Sequence, residues 1–362
     1  MNKKLLTIEN DIDKLDIEMA NIFAKRMELV REIAAYRCEN GIPVSDVEQD
    51  TKVLEKASAR LEDTQLKEYY VRFMKHVLSI SRSYQSRIQN GMKIAYSGIE
   101  GAFAHIAATR IFPNASHIAY GDFEEAYRAV ENGICDSAVL PIENSFAGEV
   151  GQVMDLIFSG SLYINGVFEL PIIQNLLGTQ DATVADVTDV VSHPQALSQC
   201  ASYIKSHHFN QTEFANTALA AQYVAAQNNR HIAAIASEET AALYGLKVIE
   251  KSINSARSNT TRFAIFSRAP QDTASKKKFI LVFTVKNEAG ALAKSVNIIA
   301  KHGFNMQSLR SRSMRSLAWQ YYFYIEGEGN PYTPEGEAML KELSECCDKL
   351  KIAGSFDGAH AI

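Results

Sequence analysis

Between residues 5 and 37, apolar side chains recur at Ile8, Ile12, Leu15, Met19, Ile22, Leu29 and Ile33, mostly four and three residues apart. That spacing keeps a single stripe on one face and predicts a helix of roughly twenty or more residues. Gly41 and Pro43 break it, Ser45 is placed to cap a second helix running to about residue 61, and Asp63 or Thr64 opens a third that runs to about 88. The first ninety residues therefore read as wholly helical. A stripe of this length is more than two shorter helices can cover, which points to association with a second copy of the chain.

After Gln89-Asn90-Gly91 the period changes. KIAYSG, HIAYGD, SAVLPIE, TDVVSHP, TEFANT, HIAAIAS, LKVIE and RFAIF are short apolar strands alternating with helical stretches, the pattern of α/β layers with mainly parallel sheets. In such sheets ligands lie beyond the carboxyl ends of strands, where helices begin. PQDTASKKK, 270–278, is a hydrophilic linker. Beyond it FILVFTV, a helix opening near Gly290, FNMQSLRS, WQYYFYI, a helix from about Pro334 to Leu350 and KIAGSF follow in the order of a small α+β ferredoxin-like module. The expected division is a multidomain chain: 1–90 helical, 91–269 α/β, and 270–362 linker and α+β module.

Composition narrows the function. A net charge of −5 argues against a nucleic-acid surface. No apolar run reaches the ~18 residues of a membrane span, and the opening MNKKLLTIENDIDKLD lacks a signal peptide's apolar core, so a cytoplasmic location is expected. The five cysteines form no CxxC pair and have no histidine at ligand spacing, so reduced thiols are expected and neither a disulfide framework nor a metal site is indicated.

Two arginines interrupt the first apolar stripe. Arg26 falls between Ile22 and Leu29, and Arg37 lies eleven residues on, nearly three whole turns, so both project from one face. The third stripe runs from Tyr70, Phe73 and Val77 into Ser81 and Gln85, and Asp46 and Asp50 sit one turn apart at the start of the second helix. These residues make either a buried structural salt-bridge network or an internal pocket for a dianionic small molecule. Residues 5–88 resemble the all-helical chorismate mutase family, which forms an intertwined dimer. The resemblance implies that Arg26, Arg37, Asp46, Asp50, Ser81 and Gln85 hold chorismate, with Arg37 and Gln85 closest to the chemistry, while preorganised charge promotes its rearrangement to prephenate. Glu9 and Gln49 stand where the family carries arginines, which bears directly on whether mutase activity survives.

In the α/β segment, IENS (Glu143 to Ser145), SHPQALSQC (Ser192 to Cys200), Asn216-Thr217 and TTRF each follow or open a strand. Singly, such residues usually just satisfy backbone amides at helix starts. Together, from about 93 to 268, SGIEGAFAH, LPIENSFAGEV, SHPQALSQC and NTTRF resemble the prephenate dehydratase family. That resemblance implies two subdomains like those of periplasmic binding proteins, roughly 93–167 plus 250–268 and 168–249, with a cleft between them and no metal or organic cofactor. It casts Thr261 as the donor to the departing hydroxyl of prephenate, Glu143, Asn144, Ser192, Gln199 and Thr217 as pocket residues, and Arg262 as a substrate contact that orients a carboxylate or else as a brace for the loop. Ile99, Ala102 and Ala104 depart from the family's glycine loop.

Residues 278–356 resemble the ACT family of amino-acid-sensing modules, which bind effector between paired copies. Gly290, Ala291 and Leu292 match one phenylalanine-binding signature. Of the second, usually Glu-Ser-Arg-Pro, only Ser311 and Arg312 remain within Arg310-Ser311-Arg312-Ser313. The combined expectation is a bifunctional enzyme of phenylalanine synthesis, inhibited by phenylalanine and assembled as a homodimer or homotetramer. The alternatives are a dehydratase whose helical part serves only dimerisation, and a non-catalytic amino-acid sensor.

Overall fold

The computed structural model describes residues 3–44, 47–255, 259–271, 274–314 and 321–362. It forms two compact units, Met1–Lys93 and Ile94–Ile362.

The first unit is three helices, α1 (Lys3–Glu39), α2 (Val47–Ala59) and α3 (Thr64–Asn90). The Asp63 carboxylate accepts from the amides of Gln65 (2.8 Å) and Leu66 (3.3 Å), satisfying two of the unpaired donors at the start of α3. At the far end Gly91, with φ of 74°, takes a left-handed conformation that a side chain would oppose. The second half of α1 buries Val30 and Ala34 against α3, whose buried face is Met74, Val77, Ser81 and Gln85. Among the described residues the first half stays uncovered: Ile8, Ile12, Leu15, Met19 and Ile22 are all about half exposed or more.

The second unit contains β1 (Lys93–Ser97), α4 (Phe103–Ile111), β2 (Ser116–Tyr120), α5 (Phe123–Glu131), β3 (Ser137–Asn144), β4 (Gly148–Glu149), α6 (Gly151–Ser159) and β5 (Tyr163–Pro171). The chain then builds a second layer from β6 (Asn175–Gly178), β7 (Asp189–Ser192), α7 (Pro194–Gln199), α8 (Ala201–His207), β8 (Asn210–Glu213), α9 (Thr217–Gln227), β9 (Ile232–Ala236), α10 (Glu238–Tyr244) and β10 (Lys247–Glu250). It returns through β11 (Thr260–Ser267) and ends in β12 (Lys278–Val285), α11 (Ala291–Lys301), β13 (Asn305–Ser313), β14 (Tyr321–Glu328), α12 (Pro334–Ser344), β15 (Cys347–Phe356) and β16 (Ala359–Ala361).

Both sheets are mixed rather than mainly parallel. In the larger, β1 and β3 are parallel, but β11 inserts antiparallel between β3 and β5. In the smaller, ordered β10-β6-β9-β7-β8, the β7 pairs are parallel and the β6 pairs antiparallel. The reason is the double crossing: the chain leaves the first layer at the end of β5 and re-enters at the start of β11, and two strands joined that way must run in opposite directions. Thr260 pairs with Pro171, and the Ile172 amide donates to the Asn259 carbonyl at 2.8 Å, so the two crossings run side by side. The strands β5 and β6 are not among those read from the sequence.

The six elements from β12 to β15 have the expected βαββαβ order, with strands arranged β13-β14-β12-β15, and β16 follows them. Two expectations need correction. The second helix of this module stops at Ser344, because residues from Cys347 pair with Val285 and extend β15. The module is also not set apart at residue 270: β15 and β16 both pair with β5, joining the two sheets into one. Tyr322 stacks on Phe158 at 4.4 Å, and Ile280, Val282 and Tyr324 share a core with Leu140, Met154 and Phe266. The module keeps an apolar core of its own around Phe279, Leu281, Ile299 and Leu343 and shares this second one with the rest of the unit.

Candidate active site

Where the two layers of the second unit face each other lies a cavity of about 470 Å³. The first layer contributes Asn144 from β3, Thr261 and Phe263 from β11, and the turn Ala147 to Val150; the second contributes Gln174, His193, Gln195, Gln199, Asn216 and Thr217. Five helices begin at its wall: α4 at Ala102 and Phe103, α5 at Phe123, α6 at Val150, α7 at His193 and α9 at Asn216. The amide ends of helices carry partial positive charge, so their convergence suits an anion. Ala102 offers no side-chain cap to α4.

The centre of the site is Asn144. Its Nδ2 donates to Thr261 Oγ1 (2.9 Å), to Asn259 Oδ1 (2.8 Å) and to the Thr260 carbonyl (3.3 Å). Its Oδ1 accepts from the amides of Phe146 (3.0 Å) and Ala147 (2.9 Å) and from Gln195 Nε2 (3.3 Å). One carboxamide thus fixes the turn after β3, the start of β11 and a side chain of the opposite layer. Thr261 is buried at 8% exposure, and accepting from Asn144 leaves its own hydroxyl hydrogen for a further partner. Across the cavity, Gln174 Nε2 donates to Gln199 Oε1 at 3.2 Å. His193 caps α7 by accepting the Gln195 amide at Nδ1 (3.2 Å), and burial lowers its pKa below the ordinary 6.5, which keeps it neutral.

Three residues expected in this pocket face elsewhere. Ser192 is fully buried and its hydroxyl donates to the Ile235 carbonyl at 2.6 Å, so it serves the sheet. Glu143 and Arg262 are register partners on β3 and β11, each beside a cavity residue, and alternation turns them to the opposite face. There Arg262 grips Glu326 with two bonds of 2.9 Å and reaches Glu143 at 3.4 Å. Burial pulls the Arg262 pKa down, but Glu326 carries it above the ordinary arginine value. Asn144, Thr261, Gln199 and Thr217 do line the cavity. In the last module Ser311 and Arg312 alternate to opposite faces of β13, Arg312 contacting Glu149 and Asp155 at 3.4 Å each. Gly290 opens α11 with φ of 86°, followed by Ala291 and Leu292.

In the helical unit Arg26 donates to Ser81 Oγ, whose hydroxyl donates in turn to the Val77 carbonyl (2.7 Å). Arg37 donates to Gln85 Oε1 (3.1 Å) and to the Val44 carbonyl (2.7 Å). Ser81 and Gln85 are buried, and burial lowers the Arg26 pKa. With its oxygen engaged, the group Gln85 has to offer a ligand is its NH2. Asp46 and the side chain of Asp50 lie outside the described residues.

A family model described as chorismate mutase type II matches residues 8–86, and one described as prephenate dehydratase matches residues 94–271. The bifunctional chorismate mutase/prephenate dehydratase of Buchnera aphidicola subsp. Schizaphis graminum is 30% identical over 97% of this chain and 96% of its own length. The chain belongs to the bifunctional chorismate mutase/prephenate dehydratase family. The Escherichia coli K12 member is 28% identical over 99% of this chain and 97% of its own. Among solved structures, a prephenate dehydratase from Arthrobacter aurescens in complex with L-Phe matches with a TM-score of 0.68 and 25% identity, over 74% of this chain and 90% of that one. A protein described as a novel type of quorum-quenching acylase matches with a TM-score of 0.68 and 30% identity, over 74% and 98%. One fold thus carries proteins named for different reactions, and the reaction is argued from side chains.

Within the cavity, the sequence pattern did not single out Gln174, Gln195 or Glu149. Gln195 lies inside the quoted SHPQALSQC, two residues past a histidine cap, where a side chain beside a helix start can reach a ligand. Gln174 follows the overlooked β5, and nothing local distinguishes it.

Proposed function

We propose that this chain rearranges chorismate to prephenate in its helical unit and converts prephenate to phenylpyruvate in the cavity of its second unit, serving phenylalanine synthesis. The observation that carries the second reaction is the Thr261 hydroxyl, fixed by Asn144 inside a cavity ringed by helix amide ends. Prephenate has two carboxylates and a ring hydroxyl. The bond from ring to carboxylate breaks to release CO2, its electron pair enters the ring as the ring becomes aromatic, and the hydroxyl leaves with one proton as water. Aromatisation supplies the driving force, so the protein's task is to hold the carboxylates and to stabilise the leaving oxygen. Helix amides and the carboxamides of Gln174, Gln195 and Gln199 suit the first task. The Thr261 hydrogen suits the second, with Asn144 donating to Oγ1 as charge builds there.

In the helical unit Arg26 and Arg37 supply positive charge, and Ser81 and Gln85 supply donors to a compact dianion whose rearrangement needs no protein nucleophile. The exposed first half of α1 is covered, in this reading, by a second copy. The C-terminal module is an ACT-type sensor of phenylalanine, with Gly290, Ala291, Leu292, Ser311 and Arg312 as its candidate contacts. The relatives' names and the L-Phe complex of a similar structure support this assignment.

The test is one purified preparation assayed separately with chorismate and with prephenate, each with and without phenylalanine. Phenylpyruvate formed from prephenate well above the spontaneous rate, and suppressed by phenylalanine, is the expected result. Turnover of prephenate but not chorismate would leave the helical unit a dimerisation element.

A further inference from the structure

The turn that carries Asn144 holds an electrostatic conflict. Glu143 of β3 and Glu149 of β4 are direct register partners, two carboxylates facing each other across a pair of strands. The turn at Glu149 lines the cavity, while its carboxylate, as the register partner of Glu143, lies on the face turned away from it; released toward the cavity, that charge would oppose an anionic ligand. Arg262 reaches Glu143 at 3.4 Å, but its closest bonds are spent on Glu326.

Among the described residues, further positive charge comes from the edge strand of the C-terminal module. Arg310 bridges the two carboxylates, with Nη2 2.6 Å from Glu143 Oε1 and Nε 3.3 Å from Glu149 Oε1. Arg312, two residues along β13 and on the same face, places Nη1 3.4 Å from Glu149 Oε2 and Nε 3.4 Å from Asp155 Oδ1. Both guanidinium groups are held: Arg310 lies 5.9 Å over the Tyr324 ring, and Arg312 packs so closely on Gly151 that a Cβ there would stand 2.6 Å from its Nη2. Gly151 and Asp155 belong to α6, whose other end is tied to the same module, Lys351 Nζ donating to the carbonyls of Ile157 (3.0 Å) and Gly160 (2.6 Å).

We propose that Arg310 and Arg312 are positioning residues of the dehydratase cavity, a two-arginine clamp that holds the Glu143–Glu149 pair together and keeps the Glu149 charge away from bound substrate. The clamp rests on reading the cavity as the prephenate site. It touches no reacting atom and acts through the turn that Asn144 organises. It also gives the residues flanking Ser311 a role inside the chain.

The deciding experiment compares wild type, Arg310→Gln, Arg312→Gln, Glu149→Gln and the double variant R310Q/E149Q. It measures KM and kcat for prephenate, amide hydrogen exchange at Phe146 and Ala147, and circular dichroism with thermal unfolding as a check that the second unit of each preparation is folded. Expected are a KM raised about tenfold in R310Q with a smaller change in kcat, faster exchange at both amides, and recovery of KM to within about threefold in R310Q/E149Q, because the repulsion has gone. Arg312→Gln shows the same direction more weakly and stands in if R310Q does not fold. Wild-type KM and exchange in both single arginine variants, or a double variant no better than R310Q, overturns the clamp. If wild type leaves prephenate unchanged, the dehydratase reading falls, and exchange at Phe146 and Ala147 still decides whether the arginines hold the turn.

Discussion

Asn144 Nδ2 stands 2.9 Å from Thr261 Oγ1 and donates to it. A hydroxyl that accepts from a fixed amide has its own hydrogen directed away from that amide, and negative charge gathering on its oxygen already has a partner.

Replacing Thr261 by alanine removes the donor to the leaving hydroxyl. Prephenate turnover is expected to fall by about 100-fold or more, while Thr261→Ser retains most of it and chorismate turnover stays unchanged. Steady-state rates of phenylpyruvate formation decide this, and a T261A enzyme as fast as wild type would remove Thr261 from the mechanism.

Asn144→Ala has a second consequence. The amides of Phe146 and Ala147 lose their acceptor, and Asn259 and Gln195 lose a shared partner. A loss of about 1 to 3 kcal/mol in the stability of the second unit should accompany a fall in kcat. Denaturant titration together with kinetics separates this variant from Thr261→Ala, which leaves those bonds in place.

His193 makes the cavity sensitive to acid. Its folded pKa lies below 6.5, so the unfolded chain binds the proton more readily, and its contribution to stability is complete above 6.5 and lost as pH falls through the folded value. Protonation also removes the acceptor for the Gln195 amide. His105, likewise lowered by burial, contributes with the same sign. Unfolding midpoints measured from pH 7.5 to 5 should fall less steeply for His193→Asn, which retains an α7 cap, than for wild type; identical slopes would exclude His193.

Arg37→Met leaves Gln85 Oε1 and the Val44 carbonyl without their donor and removes one positive group from the helical pocket. Chorismate turnover is expected to drop by about 100-fold with prephenate turnover intact. Equal loss of both activities would place Arg37 in general stability.

Leu15 and Ile22 are 62% and 66% exposed on a helix half that none of the described residues covers. Glutamate at both positions should shift the sedimentation coefficient from that of an assembly to that of a monomer at micromolar concentration. A double variant that stays assembled would place the contact elsewhere, since burying charges on a joining face costs several kcal/mol.

Much of this protein was legible locally. The 3.6-residue period ran through α1, Asp63 announced the start of α3, and SAVLPIE and RFAIF declared β3 and β11, because each depends on neighbours a few residues away. The strands β5 and β6 were not, since YINGVFELPIIQNLLG is a long apolar stretch without alternation, and only pairing with β11 and β9 makes strands of it. The same limit moved the end of α12, where Cys347 to Leu350 fit a helical pattern until β12 offers them partners.

At the site the division is similar. Residue types and their order along the chain determined that hydroxyls, carboxamides and arginines cluster at strand ends, because the period of two or 3.6 is written in the sequence itself. Which way each one faces was decided only in three dimensions. Thr261 enters the cavity and Arg262 turns to Glu326, though they are adjacent, because a strand's register is set by the neighbours that bury one face of it. That choice belongs to residues more than sixty positions away, which no local pattern records.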